Sequence, residues 1–283
     1  MDTDVVVRFV RDDGAELVID ETDWGATEID GAAAAEYEVF SEDNAVGDGD
    51  TITGQRVKAR ELEISATVMD LAQNQALRHT ALAYFNPKRN YKVHLTYMGR
   101  TRWISGVLTA LKAESAYIYE PQSFTVMLLC PIPYWQSEDD FGQDIAAVTP
   151  RWGFPFMDHP SVGVLVSTYN FGRDVVFDYD GDVPGYFRAK LSADSTVVNP
   201  RLIKDGFYVR ILDTMQQGDV IEIDFERATV TKNGQNILAK IDRTSNFTAM
   251  RMEPGVNTVS YAAETGENAL HVVLYYNKQY LGV

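Results

Sequence analysis

The stretch Phe124–Trp135, with the sequence FTVMLLCPIPYW, decides how the chain is divided into domains. Its first seven residues are predicted to form an apolar strand, which two prolines, Pro131 and Pro133, then interrupt. Proline lacks a backbone N–H and fixes φ, so the ladder of strand hydrogen bonds cannot continue past this point. We therefore predict that these prolines, with Tyr134 and Trp135, form a stiff exit from one domain and that the two aromatic rings cap its core.

Length and composition predict two domains of ordinary size, each with its own core. The chain has 283 residues, of which 45% are hydrophobic, and a single core rarely grows beyond about 250–300 residues. No window of 18 apolar residues occurs, so a membrane-spanning helix is not expected. The first residues, MDTDVVVRF, lack the basic and apolar regions of a secretory signal, so we expect synthesis in a reducing cytoplasm.

Charge is distributed unevenly along the chain, whose net charge is −16. Residues 1–50 carry a net charge of −14, residues 51–112 carry +7, and the remainder carries −9. In one interpretation the acidic segment of one copy faces the basic segment of the next in a head-to-tail ring. In the other, the two segments neutralise each other within one sheet. The first interpretation gives five candidate subunit-interface residues: Arg56, Lys58, Arg60, Lys88 and Arg89.

Strand patterns dominate the first domain. Hairpin signals surround the turn at residues 12–14, and the polar, Gly- and Asp-rich residues 41–54 are predicted to form a long exposed loop. Apolar residues alternate from Val57 to Val68 with one slip, which suggests a β-bulge. A second hairpin is predicted around Met98-Gly99, and the strand that ends at Cys130 closes the domain.

One helix is predicted, over residues 71–85. Asp70 precedes it and is expected to act as its N-cap. Apolar positions at helical spacing predict a broad buried face that includes Leu71 and Leu82. The first domain, residues 1–136, is therefore predicted to be a β-sandwich or barrel that carries one packed helix.

The second half of the chain predicts a linker followed by an all-β domain. Residues 137–163 lack hydrophobic periodicity and contain three prolines, so they are predicted to be a linker whose aromatic side chains lie on a surface. Residues 164–283 contain short apolar segments at sandwich spacing and the favoured hairpin turn Asn233-Gly234. We predict a jelly-roll or galectin-like β-sandwich, and hence a mainly β chain. The alternative prediction for the last residues is that 269–283 return to pair with the N-terminal sheet.

An ordered set of turn and strand motifs runs through nearly the whole chain. In the first domain these are Trp24-Gly25, Gly54-x-Arg56, Asn86-Pro87, Tyr97-x-Gly99 and Cys130-Pro131-x-Pro133-Tyr134. In the second they are Asn170-x-Gly172, Asn199-Pro200, Gly218-Asp219-x-Ile221-x-Ile223-Asp224, Asn233-Gly234-x-Asn236 and Pro254-Gly255-x-Asn257. No motif is specific alone. In this order they make the chain resemble the phage distal tail protein family, the siphovirus-type tail components.

This resemblance implies a structural protein of the virion, located at the distal end of the phage tail. Its first domain would form a homo-hexameric ring on the tail tube protein, with a lumen through which DNA passes without being stably bound. Its second domain would project outward and hold receptor-binding or fibre proteins, next to a tail-tip hub or tail-associated protein. An acidic chain agrees with a lumen that repels phosphates. The resemblance implies neither membrane insertion nor a cofactor.

Catalytic and metal sites are not predicted. The four histidines are widely scattered without metal-ligand spacing, and nucleophile and phosphate-binding motifs are missing, so we expect no enzyme activity, metal or cofactor. The acidic runs Asp178–Asp182 and Asp48–Asp50 do not fit a calcium loop and are interpreted as solvated turns. The single cysteine, Cys130, excludes an intramolecular disulfide and is predicted to be a buried small hydrophobe, not a reactive thiol.

The alternative function is a carbohydrate-binding adhesin module that recognises a cell-surface glycan. Tyr275, Tyr276 and Tyr280 offer rings that stack on sugars in such modules. The competing interpretation is a strand with one ring inward and the others exposed. The hub is favoured because the second domain has no room for an inserted binding module.

Overall fold

The chain folds into two compact units. The computed structural model describes residues 5–45, 47–113, 119–138, 141–144, 148–150, 167–169 and 174–283. The first unit comprises Met1–Glu138 together with Gln279–Val283, and the second comprises Asp139–Lys278. These bounds differ from the predicted ones because the last five residues return to the first unit and because strands occupy part of the predicted linker, 137–163.

Within its described residues, the first unit contains a large antiparallel sheet, a separate hairpin and one helix. Its elements before the exit are β1 Val6–Arg11, β2 Glu16–Ile19, β3 Trp24–Asp30, β4 Tyr37–Asp43, β5 Asp50–Val57, β6 Arg60–Val68, α1 Asn74–Tyr84, β7 Asn90–Tyr97, β8 Arg100–Ala113, β9 Ser123–Cys130 and β10 Trp135–Ser137. The sheet has the order β2-β1-β7-β8-β9-β6-β3, and β10 pairs with β8. The predicted hairpin around Met98-Gly99 is confirmed, since both turn residues have positive φ, 50° and 76°.

The long strand β8 allows one sheet to enclose one core. Its first half pairs with β7 and its second half with β9, and the register shifts between Leu108 and Ala110. Such an irregularity bends a strand, so the two halves of the sheet face the same apolar cluster. Phe9, Ile64 and Val93, from three strands of the sheet, are fully buried in it. The predicted sandwich or barrel with one packed helix is therefore confirmed.

The helix is shorter than predicted, and part of its predicted apolar face is exposed. A 3-10 turn, Leu71–Gln73, precedes α1, and Asp70 caps that turn by accepting a hydrogen bond from the backbone N–H of Ala72 at 2.9 Å. Leu71 is exposed because the tighter turn changes the phase of its side chain. Leu82 is also exposed. The apolar side chains that α1 buries are Leu77, Ala81 and Tyr84.

Residues 41–54, predicted to be a loop, lie in a β-hairpin. The strands β4 and β5 pair with each other from Tyr37 opposite Val57 to Asp43 opposite Asp50, and with no other described strand. We call residues 37–57 the arm. The slip predicted as a bulge is instead the break between β5 and β6 at Lys58 and Ala59. The loop prediction was wrong because the arm buries almost nothing, so its strands show no alternation of buried and polar residues. The bulge prediction was wrong because residues 50–68 form two strands and not one.

The described residues of the second unit form a β-sandwich. The remaining strands are β11 Phe141–Asp144, β12 Val148–Pro150, β13 Ser167–Tyr169, β14 Asp174–Tyr179, β15 Gly185–Ala193, β16 Val197–Val198, β17 Arg201–Lys204, β18 Phe207–Arg210, β19 Thr214–Met215, β20 Val220–Asp224, β21 Thr229–Lys232, β22 Gln235–Asn236, β23 Arg251–Met252, β24 Gly255–Ala262, β25 Leu270–Tyr276 and β26 Gln279–Tyr280, with 3-10 turns at Leu238–Lys240 and Glu267–Ala269. The last strand, β26, lies in the first unit.

Two sheets of the second unit bury a common core. One has the order β11-β25-β15-β20-β21-β22 and the other the order β14-β24-β17-β18. Leu191, Ile221 and Val259, from the two sheets, are fully buried in one cluster. The predicted β-sandwich is confirmed, as is the two-residue turn Asn233-Gly234, where φ is 49° and 78°. The aromatic side chains of the predicted linker lie outside the described residues.

The end of the chain completes the first unit. The strand β26 pairs with β10 through Trp135 opposite Tyr280, and the backbone N–H of Val283 donates to the carbonyl of Ala32 at 3.2 Å. The alternative prediction was that residues 269–283 return to pair with the N-terminal sheet. The structure shows this return for the last five residues, 279–283. The predicted second domain, 164–283, therefore ends too late, because these residues find their hydrogen-bond partners in the first unit.

Candidate assembly surface

The predicted exit residues lie where the closing strand of the first unit ends. The strand β9 stops at Cys130, Pro131 is exposed, and Pro133 and Tyr134 are half-buried. Trp135 begins β10 and is fully buried in the core of the first unit. Trp135 therefore lies in the core, whereas Tyr134 is only partly covered.

Three of the five predicted interface bases are paired with acids of the same chain. Arg56 Nε donates to Glu38 at 2.7 Å, Lys58 Nζ lies 3.6 Å from Glu36, and Arg89 lies 3.3 Å from Asp12. Each pair joins a base of residues 51–112 to an acid of residues 1–50. Neutralisation within one subunit, the second interpretation of the charge pattern, is therefore the one these three contacts favour.

The fourth base, Arg60, has a different role from the predicted one. Its residue is only 4% exposed, so it is not available to a neighbouring subunit. Its guanidinium donates to four backbone carbonyls, and burial lowers its pKa. The four acceptors are the carbonyl oxygens of Gly31, Ala34, Pro133 and Leu281. The fifth base, Lys88, is exposed, and its side chain makes no ion pair or hydrogen bond within the described residues.

One face of the arm carries exposed apolar side chains. Side chains alternate along a strand, so Tyr37 and Val39 project from the same face, and Ile52 joins them because it pairs with Ser41. Their exposed fractions are 59%, 55% and 68%. Large apolar groups that cluster on a surface mark interaction sites more often than isolated ones do. Sequence reasoning missed this face because it treated residues 41–54 as a loop.

The other face and the tip of the arm are charged. On the other face, Arg56 pairs with Glu38 and its guanidinium lies over the ring of Phe40, 5.5 Å from the centroid. Residues 42–50, the tip, contain four acids and no base. The arm thus combines one apolar face, one internally paired face and an acidic tip.

The histidines and acidic runs form no metal site within the described residues. His94 is buried, its Nδ1 lies 2.7 Å from Glu138 Oε1, and burial lowers its pKa. His271 lies 2.7 Å from Asp194, His79 is exposed on α1, and His159 falls outside the described residues. Among the described residues, no helix combines the length and apolar character that a membrane crossing requires.

Cys130 is buried as predicted, and burial raises the pKa of its thiol to about 11. A thiol with so high a pKa is almost wholly protonated near neutral pH and is a poor nucleophile. Of the three tyrosines near the end of the chain, Tyr276 is buried and Tyr280 lies under the guanidinium of Arg102, 3.5 Å from its ring centroid. Tyr275 and Tyr280 are both partly exposed, and Tyr275 lies on a sheet of the second unit.

Comparisons with known proteins relate part of the sequence, and the fold of the chain, to phage tail components. Residues 180–280 match the family model described as siphovirus-type tail component, C-terminal domain. No curated protein matches the sequence. Among solved structures, the chain is similar to the Dit protein of phage SPP1, described as a paradigm of hub adsorption apparatus in phages that infect Gram-positive bacteria. The TM-score is 0.70 at 15% identity, over 97% of this chain and 99% of that one.

Chains of the phage P2 baseplate, in its activated conformation, are also similar. The structure with Ca gives a TM-score of 0.53 at 9% identity, and the structure with Sr gives 0.53 at 11%; each covers 99% of both chains. Identities this low show a common fold and no more. The resemblance of this chain to the phage distal tail proteins is confirmed, by the family match over residues 180–280 and by a fold shared along the chain.

Proposed function

We propose that the chain is a structural hub of a phage tail tip. Its supports are the family match of the second unit and the fold it shares with a hub adsorption protein and with baseplate chains. In this proposal six copies form a ring on the tail tube protein through the first unit. The second unit holds receptor-binding or fibre proteins. The protein is made in the host cytoplasm, acts in the virion and is not an enzyme.

The arm is the structural feature that best supports the proposed ring. A two-stranded hairpin is at best marginally stable alone in water, and its outer strand edges invite pairing. The apolar face of Tyr37, Val39 and Ile52 therefore gains most when another surface covers it. If each copy inserts its arm into the next and receives one in turn, the contact is heterologous, and it closes into a ring when the rotation fits.

Charge supports both the contact and an open lumen. The acidic tip of the arm needs a basic partner, and Lys88 is an exposed base without an ion pair within the described residues. DNA binding gains free energy when cationic side chains release the counterions of the phosphates. A chain with a net charge of −16 offers little of this gain, so DNA passes through the lumen without being held.

The experiment measures the oligomeric mass of the protein, alone and with tube protein added, by light scattering and electron microscopy. We expect six-fold rings and six times the mass of one chain. The double variant Val39→Ser with Ile52→Ser removes apolar contact area and should leave folded monomers. The matched control is Val176→Ser, which alters an equally exposed valine of the second unit and should leave the ring intact.

Monomers or two-fold dimers in the presence of tube protein would contradict the ring.

The salt dependence of ring formation separates the two interpretations of the charge pattern. Since Arg56, Lys58 and Arg89 are paired within the chain, only the attraction between Lys88 and the acidic tip is screened by salt. Raising the ionic strength beyond about 0.15 M, where the screening length is about 8 Å, should therefore weaken the ring only slightly. Lys88→Glu should weaken it more than Arg89→Glu.

A further inference from the structure

The outer face of the larger sheet in the second unit carries a groove of about 440 Å³. It runs across the strands β25, β15, β20 and β21. The alternation along β15 points Ala189 and Leu191 into the core, and Arg188 and Lys190 outward into the groove. The packed core beneath the groove therefore holds its floor in place. Because the floor is already ordered, the protein loses little conformational entropy when a ligand binds.

The strand register arranges the lining in two rows. In the first row Tyr275, Arg188 and Asp224 are successive cross-strand neighbours. In the second row Lys190 lies opposite Glu222, which lies opposite Thr231. Each row thus alternates hydrogen-bond donors and acceptors on adjacent strands, at the spacing of about 5 Å that separates cross-strand neighbours.

Polar groups in the groove have unused hydrogen-bonding capacity. Within the described residues the side chains of Lys190, Glu222 and Thr231 make no hydrogen bond or ion pair, although Lys190 and Glu222 are direct cross-strand neighbours. A surface lysine and glutamate that face each other without pairing leave an ammonium donor and a carboxylate acceptor for a third molecule. A ligand with several hydroxyl groups satisfies both at once.

Tyr275 adds an apolar surface at one end of the groove. Its ring is half-buried, and the guanidinium of Arg188 lies 5.9 Å from the ring centroid. On the other neighbouring strand, Gly142 lies opposite Tyr275, so that position contributes no side chain beside the ring. A half-buried ring with limited freedom offers contact area at little entropic cost.

Charge balance selects the chemical class of the ligand. The lining contains two cations, Arg188 and Lys190, and two anions, Glu222 and Asp224, so an ionic ligand gains little from it over water. A neutral molecule that carries both an apolar ring face and many hydroxyls matches the aromatic ring and the alternating donors and acceptors. We propose that this groove binds a neutral saccharide. Its size falls within the range of about 300–1,000 Å³ of small-ligand pockets.

The test titrates the full chain with neutral trisaccharides built from glucose, galactose and N-acetylglucosamine, by calorimetry and by NMR. Inorganic phosphate and a sulfated trisaccharide are the charged comparisons. We expect at least one neutral trisaccharide to bind, with an affinity that is insensitive to salt. Tyr275→Ala should weaken that binding about tenfold. The matched control, Tyr186→Ala, alters an exposed tyrosine of β15 that lies outside the groove and should leave the affinity unchanged.

Thr231→Val keeps the shape of the side chain and removes only a hydroxyl. It is the second test variant in case Tyr275→Ala does not fold. It should weaken binding of the trisaccharide about fivefold. Failure of every neutral trisaccharide to bind would overturn the proposal, as would binding that Tyr275→Ala and Thr231→Val both leave unchanged. Tighter, salt-sensitive binding of phosphate or of the sulfated sugar would overturn the assignment of the ligand class. The test needs no ring, so its outcome is independent of the assembly proposal.

Discussion

Arg60 shows how one residue can hold distant segments of the first unit. Its guanidinium offers five N–H donors, and four backbone carbonyls surround it. They come from the β3–β4 connection, from the exit after β9 and from the end of the chain. From its charge alone, Arg60 was predicted to lie at a subunit interface. The charges along the sequence do not show which side chains are buried. The role of Arg60 follows only from the packing of segments that are far apart in the chain.

Replacing Arg60 by Met should therefore lower the free energy of unfolding of the first unit by about 3 kcal/mol, because a hydrogen bond to a charged group contributes about 1.5–3 kcal/mol and several are lost together. Methionine fills the volume but leaves the four carbonyls without donors. Chemical unfolding followed by tryptophan fluorescence measures the change. The control is Arg56→Met, whose guanidinium is 65% exposed and should change stability by less than about 1 kcal/mol. Equal effects of the two substitutions would contradict this role for Arg60.

The sequence predicted strands best where one side of a strand is buried. Alternation identified the strands of both cores, and turn chemistry located the hairpins at Met98-Gly99 and Asn233-Gly234. The sequence pattern could not predict the arm, because β4 and β5 pair with each other and bury almost nothing. The helix boundary shifted because a 3-10 turn, Leu71–Gln73, uses the first turn of the predicted helix. The groove in the second unit depends on register, which composition does not reveal.

The turn between β1 and β2 should make acid stability depend on Asp13. Arg11 donates to both carboxylate oxygens of Asp13 at 2.8 Å, and these hydrogen bonds lower the pKa of Asp13 from 3.8 to about 2. A carboxyl whose pKa is depressed in the folded state stabilises that state above its unfolded pKa, and the contribution is lost as the pH falls through the folded value. The contribution of Asp13 is therefore complete above pH 3.8 and disappears towards pH 2.

Asp13→Asn should accordingly destabilise the protein at pH 6 and not at pH 2. Chemical unfolding at a series of pH values measures the difference between the variant and the original protein. Asp23→Asn, a substitution of an exposed aspartate in the same unit whose side chain makes no ion pair within the described residues, provides the control. A difference that stays constant down to pH 2 would show that the carboxylate charge of Asp13 is irrelevant to the turn.

The chain leaves the first unit after Glu138 and returns to it at Gln279. The returning strand pairs with β10, and two arginines fix the residues beyond it. Arg60 donates to the carbonyl of Leu281, and Arg102 donates to the carbonyl of Gly282. The fold of the first unit therefore depends on the end of the chain. A fragment that stops at the exit would leave the outer edge of β10 unpaired, where it invites aggregation.

Gly282 provides the sharpest test of this dependence. A Cβ at position 282 would overlap the backbone carbonyl of Ala33, so Gly282→Ala should displace the last residues from the first unit. The displacement removes the partner of β10 and the acceptors of both arginines, and should cost the first unit about 3 kcal/mol. The matched control is Gly54→Ala, whose added methyl would meet only the side chain of Phe40 at an ordinary distance of 3.7 Å.

Hydrogen exchange followed by mass spectrometry localises the effect. In Gly282→Ala, the amides of Trp135–Ser137 should exchange faster, while β15 and β20 in the core of the second unit should keep their protection. In Gly54→Ala both regions should exchange as in the original protein. A peptide covering residues 279–283, added to a chain that ends at Lys278, should restore protection at Trp135. Unchanged exchange there in Gly282→Ala would mean that β8 alone holds β10 in place, and the end of the chain would then be dispensable for the first unit.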